Sequence, residues 1–200
     1  MAITPKQFEQ IKERLARPKR LAPVFVPAPK HPAANETIIG VDPSLRGTGW
    51  GVIRCGKPQP RALAHGTIHC PAGWERSRCL ARIAQTLRDL LVQHRPTVCA
   101  IEGLFYAQNL QTALIMGEAR GAALAVLGEA GLEIFEIAPR KVKQAIVGYG
   151  AAQKTAVAKM VQRQLCMTEL PAPDAADALA LALACSHERG RFGLGLPRRI

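Results

Sequence analysis

Apolar residues in this chain fall into short unbroken runs and into longer stripes spaced three and four apart, the signatures of buried strands and amphipathic helices. The run TIIGVD at residues 37–42 predicts a central strand. Turn-like PSLRGTG separates it from WGVIRC (50–55), and GKPQP separates that from ALAHGTIHC (62–70). Connections this short predict an antiparallel three-strand meander. Leu80, Ile83, Leu87, Leu90 and Leu91 then share one stripe, a long helix ending near the HRP at 94–96. From there strand and helix alternate: TVCAIE (97–102) as a buried strand, residues 109–131 as a helix closed by glycine, LEIFEI (132–137) as a strand, and mostly helix to about His187. Alternation of this kind adds parallel strands through crossover helices. The expected fold is α/β, a mixed five-stranded sheet (the meander plus parallel strands) flanked by helices.

Residues 1–35 carry a different pattern. Thr4, Pro5 and Gln7 resemble a capping box before Phe8, Ile11 and Leu15, so a short helix is expected, and the proline-rich stretch at 17–35 cannot continue it. This divides the chain into a basic N-terminal arm (1–35), a folded domain (36–188) and a basic C-terminal tail (189–200).

Two hundred residues, 48% hydrophobic, suit one domain with a substantial core. No apolar run approaches the roughly 20 residues of a membrane span, and the N-terminus lacks the features of a secretory signal. A cytoplasmic protein without membrane association is expected. The six cysteines are scattered with no C-x-x-C pair and fall mostly in apolar segments, as small core residues. His65 and His69, four apart in a strand, share a face, but no further His and no C-x-x-C pair completes a metal set.

Charge sharpens this picture. Of the formal +12, residues 1–35 contribute +5 (seven Lys and Arg, two Glu) and residues 188–200 contribute +3 (four Arg, one Glu). Those ends could be solvated tails or a nonspecific grip on nucleic acid. Within the domain, residues 138–165 hold Arg140, Lys141, Lys143, Lys154, Lys159 and Arg163 without one acid, which points to a phosphate-facing surface.

The acids are few and placed suggestively. Asp42 and Glu102 each end a buried run, and Asp174 and Asp177 stand three apart at the head of an Ala/Leu helix. Each has a plain reading: strands end where they meet water, and Asp in a first helical turn complements the positive end of the helix dipole. Taken together they read differently. Ligands of open α/β sheets bind beyond the strand C-termini. If the first and fourth strands are neighbours and the last helix crosses the sheet, four carboxylates converge there. Such a cluster repels itself unless a divalent cation neutralises it, and an all-oxygen donor set points to Mg²⁺ or Mn²⁺.

The motifs IIGVDPSLRGTGWGVI, AIEGLFYAQN, GEARGAAL, APRKVKQAIVGYGAAQKTAVAKMV and PDAADALALAL resemble, in order and spacing, those of the RuvC family of Holliday-junction resolvases, which have an RNase H-like fold. The resemblance spans roughly residues 37–187. It implies that Asp42, Glu102, Asp174 and Asp177 are catalytic, metal-binding acids holding two Mg²⁺ ions per active site, with Mn²⁺ able to substitute, in a two-metal hydrolysis leaving 5′-phosphate and 3′-hydroxyl ends. It further implies that Phe105, with Tyr106 beside it, stacks at the centre of a four-way DNA junction. Arg140, Lys143 and Lys154 become candidate phosphate contacts. A homodimer that nicks two strands symmetrically in recombination and repair is implied, with a branch-migration motor complex as a possible partner. Gly148 and Gly150 suit a loop that lets backbone approach DNA, and Gly117 and Gly121 allow close helix packing within the monomer or across a dimer. Ser44 replaces a common family glycine and Ala156 a frequent glutamine, departures that bear on loop geometry and sequence preference rather than on the acids.

Other readings share parts of this pattern. The first hairpin also resembles the phosphate-binding hairpin of the sugar kinase and actin group, but the chain has room for only one of their two domains. A noncatalytic junction-binding protein would not need all four acids. An RNase H-like nuclease acting on RNA precursors is separated only weakly by Phe105 and the basic block.

Overall fold

The computed structural model describes residues 35–103, 109–190 and 198–200. Its strands are β1 (Thr37–Asp42), β2 (Gly47–Arg54), β3 (Arg61–His69), β4 (Val98–Glu102), β5 (Glu133–Ile137) and β6 (Arg198–Arg199). Its helices are α1 (Arg76–His94), α2 (Leu110–Glu129), α3 (Pro139–Val147), α4 (Lys154–Gln164) and α5 (Pro173–Gly190). The expected N-terminal helix lies outside the described residues.

The strands form one mixed sheet in the order β3-β2-β1-β4-β5-β6. β1, β2 and β3 are the antiparallel meander, while β4 joins β1 and β5 joins β4 in parallel. The order reverses direction at β1, which places Asp42 at the C-terminal rim of a central strand and Glu102 at the same rim of its neighbour. Alternation along each strand splits the core into two layers. Ile39, Val41 and Val52 face α1 and α2, where Ile83, Leu87, Val126 and Leu127 meet them. Ile38, Ile53, Val98 and Ile137 face α3, α4 and α5, with Leu179 and Leu183 among the buried partners. The apolar runs are thus continuous because both faces of the central strands are covered.

Two sequence expectations need correction. The sheet has six strands rather than five, because Arg198 and Arg199 pair antiparallel with Glu136 and Phe135. Arginines expected in a basic tail are instead drawn into the fold. Arg189, 5% exposed, bonds Glu36 at 3.1 Å and Glu133 at 2.9 Å, and Arg199 reaches Glu133 at 3.0 Å. By length and composition alone, the 20 residues of α2 are long and apolar enough to cross a bilayer. The helix is tied to this domain, however. Ala119, Ala123, Val126 and Leu127 pack in the core, buried Arg120 pairs with Glu136 on β5, and Glu118 pairs with Arg76 on α1.

Candidate active site

Glycine decides where the last helix lies. Gly40 on β1 and Gly51 on β2 are register partners, and Gly49 lies beside Asp42. A Cβ on Gly40 would overlap the carbonyl of Ala178, one on Gly49 the carbonyl of Asp174, and one on Gly51 would stand 2.7 Å from the Leu179 side chain. These bare positions form a floor on which α5 rests backbone to backbone. Its first two turns, carrying Asp174 and Asp177, are thereby held over the rim where Asp42 and Glu102 end their strands. The glycines alternate as a period-two strand pattern, a signal legible in GTGWG, but the sequence does not say what they face.

Asp42, Glu102 and Asp177 line one cavity of about 140 Å³, with Lys143 and Pro139 from α3, Lys154 and Val157 from α4, and Ala180 and Leu181 from α5. Asp42 and Glu102 hydrogen-bond to each other. Burial, then the neighbouring Asp42 charge, pushes the Glu102 carboxyl up to about 8. Burial also raises Asp42, against the lowering effect of its bond from Glu102. At neutral pH Glu102 therefore keeps its proton and donates it to the Asp42 carboxylate, which is how two buried acids in contact avoid like-charge repulsion.

Asp177 has a different neighbour. Lys154 Nζ donates to its Oδ2 at 2.7 Å, and that bond raises the lysine above its ordinary value. The lysine side chain is 74% exposed, so the pair is an open one whose net contribution to stability is small. Asp174 stands one step aside, above β2. Its Oδ2 would lie 3.1 Å from a Cβ on Gly47, and its charge adds to the forces raising Asp42.

The structure therefore unites Asp42, Glu102, Asp177, Lys143 and Lys154, with Asp174 adjacent. Lys154, expected as a phosphate contact, stands in this arrangement within the acid cluster. Arg140 is exposed outside the cavity, and its stem crosses Gly150, where a Cβ would overlap its Cγ. The glycine pair thus has local duties: Gly148, at φ 100°, ends α3, and Gly150 makes room for Arg140. Gly117 and Gly121 meet nothing within 4 Å, so their open stripe on α2 has no packing partner among the described residues. Phe105 and Tyr106 lie outside the described residues.

The donor set suits a hard divalent cation. It is all oxygen, partly desolvated, and crowded enough that a proton and an ammonium group already offset its charge. Among the described residues, no three His, Cys, Asp or Glu side chains converge closely enough to form a complete metal group. Two carboxylates are in contact, a third lies against Lys154 and a fourth stands alongside.

Comparison with known proteins bears on this site. The family model described as "Crossover junction endodeoxyribonuclease RuvC" matches residues 38–187. A protein of that name from Rubrobacter xylanophilus is 42% identical over 170 residues, covering 83% of this chain and 95% of the relative. One from Halorhodospira halophila is 45% identical over 152 residues, covering 76% and 90%. Among solved structures, Thermus thermophilus RuvC in complex with a Holliday junction substrate superposes with a TM-score of 0.76 at 30% identity, covering 82% of this chain and 99% of that one.

Proposed function

Since this chain belongs to the RuvC family of crossover junction endodeoxyribonucleases, we propose that it resolves four-way DNA junctions by paired symmetric nicks, with Asp42, Glu102, Asp174 and Asp177 as its catalytic acids. The observation that carries this reading is the meeting of Asp42, Glu102 and Asp177, from three separate elements, at the C-terminal rim of a sheet with an RNase H-like topology. These four acids would hold two Mg²⁺ ions, with Mn²⁺ able to replace them, supplying Lewis acidity to hydrolyse a phosphodiester into 5′-phosphate and 3′-hydroxyl ends.

The chain's own residues set the conditions for that chemistry. Glu102 must lose the proton it shares with Asp42 before both can serve as ligands, so cation binding is coupled to proton release. Lys154 and Asp177 hold one another at the cleft, and an arriving phosphodiester offers Lys154 a second anionic partner. Lys143 stands on the cavity wall and Arg140 outside it, positions from which a DNA backbone can be gripped on the α3 and α4 side. Phe105 and Tyr106 follow Glu102 by three and four residues, and an aromatic side chain so close in sequence to the acids would stack on unpaired bases at the junction centre.

A homodimer supplies the second nick. The exposed apolar side of α2 suits that contact, with Leu110 76% and Leu114 59% exposed near the open Gly117 and Gly121 stripe. A branch-migration motor is the partner that would deliver mobile junctions.

The test is cleavage of a mobile four-way junction, end-labelled on each arm, with and without Mg²⁺, beside linear duplex and an RNA hairpin. Paired nicks in the junction alone, dependent on Mg²⁺ and lost in Asp42→Asn while junction binding persists, are expected. Binding without nicks across varied junction sequences would make it a noncatalytic binder, and cleavage of the hairpin instead would assign it to RNA.

A further inference from the structure

A second cationic surface lies on the other side of the sheet from Lys143 and Lys154. Residues 43–88 hold eight Lys and Arg against one acid, Glu75. Two of these arginines are offset by carboxylates, Arg76 by Glu118 and Arg88 by Glu129. Arg46, Arg78 and Arg82 are exposed and make no ion pair among the described residues.

The fold gathers these three arginines at the catalytic rim. Arg46 lies four residues past Asp42 in the β1–β2 connection, and its carbonyl accepts from the N–H of Cys70 at the end of β3. Its Nη1 donates to the carbonyls of Pro71, at 2.6 Å, and Trp74, at 3.1 Å, fastening the turn that leads into α1. Arg78 lies over the Trp74 ring at 3.9 Å, and a guanidinium engaged by its face keeps its edge N–H groups available to an anion. Arg82 is four residues on, hence on the same helix face, and its charge reaches Cys70. Beneath them Leu45, Cys70 and Cys79 form a small separate core with Trp74 and Ile115 packed on it. The arginines therefore stand on a rigid base.

We propose that Arg78 and Arg82, positioned by Trp74 and by the Arg46-fastened turn, form a second phosphate-backbone site for the DNA that leaves the cleft on the α1 side. A duplex arm crossing the catalytic rim would then be gripped on both faces of the sheet, by α3 and α4 on one and by α1 on the other. Contacts of this class orient the nucleic acid and carry no sequence information. The site rests on the resolvase reading.

The test is junction binding by the full chain, without divalent metal, across a salt series. Arg78→Ala with Arg82→Ala is compared with Arg54→Ala plus Arg61→Ala, an exposed pair opposite one another where β2 ends and β3 begins, at the far end of the sheet. Both doubles remove two charges. Loss of two phosphate contacts lowers the slope of log K against log salt by roughly 1.8. That change is expected in the first double only, with Arg78→Lys plus Arg82→Lys restoring most of it and thermal melting unchanged. Equal slopes in the two doubles, or a slope like that of the unsubstituted protein in the first, would overturn the site. If the unsubstituted protein prefers no junction over linear duplex, the resolvase reading falls instead, and the same comparison on duplex decides whether this surface binds phosphate.

Discussion

At the residue scale, the acids differ in what balances them: Glu102 keeps a proton, while Asp177 has an ammonium group. The sign of the resulting pH dependence follows. A carboxyl raised from 4.5 to about 8 on folding stays protonated in the native state while the unfolded chain releases its proton. In chelator, stability should therefore fall as pH rises through that window and level off above it. Thermal melts from pH 5 to 9 would show this, and Glu102→Gln should flatten the trend. Arg140 carries a second prediction. Gly150→Ala pushes a methyl group into its stem, so it should weaken junction binding about as much as Arg140→Ala does, and the double substitution should be no worse than either single. Additive losses would separate the two residues. Neither dependence is visible in the sequence, where Arg140 and Gly150 stand ten positions apart and only the return of the chain along α3 brings them together.

At the element scale, the placement of α5 is the event that builds the site. Pro173 and the Ala/Leu pattern predict a buried helix beginning near Asp174, and the structure has it from Pro173 to Gly190. Its height over the sheet depends on Gly40, Gly49 and Gly51. Gly49→Ala forces a methyl group into the Asp174 carbonyl, an overpacking cost on the order of 2 kcal/mol, or about 5 °C in Tm for a domain this size. Because the backbone that must yield carries Asp174, cleavage should fall at temperatures where the protein is still folded. Full activity in a folded Gly49→Ala protein would show that the helix tolerates displacement. The exposed side of α2 shows the reverse situation. There Gly117 and Gly121 floor nothing among the described residues, and Gly121→Leu should shift the protein towards monomer in sedimentation if that stripe is the dimer contact.

For the molecule as a whole, the end of the sheet remote from the acids is closed by an ion network. Arg189 from α5 joins Glu36, just before β1, to Glu133 on β5, and Arg199 on β6 pairs with Glu133 as well. Burial outweighs the attraction of Arg189 and raises Glu36 above its ordinary value, so these charges are costly to keep in place. Arg189→Met would leave Glu36 without its partner and should cost about 3–5 kcal/mol. A large fall in Tm with cleavage retained at 25 °C is expected, since the network lies at the opposite end of the sheet from Asp42 and Glu102. Activity lost in step with no change in Tm would instead tie this end to catalysis. The network also explains why net charge read along the chain misleads about the C-terminal stretch: Arg189 and Arg199 have carboxylate partners, while Arg46, Arg78 and Arg82 form no ion pair among the described residues.

The sequence by itself determined the five principal strands and the helices between them, because each is written in local periodicity, and it singled out the four acids through motifs of fixed spacing. Alternation of strand and helix put Asp42 and Glu102 on one rim only if β1 and β4 were neighbours, and the parallel pairing of those strands supplied that condition. What only the tertiary structure decided depends on contacts between residues far apart in the chain. Arg198 and Arg199, too short a run to show a strand period, become a sixth strand only because the edge of β5 is open to them. Lys154 sits in a uniformly basic stretch that reads as a phosphate surface, and the packing of α4 against α5 turns it towards Asp177. The glycines of β1 and β2 announce missing side chains, but the helix that fills the space lies more than a hundred residues further along. Periodicity records which face of an element is buried; what lies against that face is settled when the elements pack.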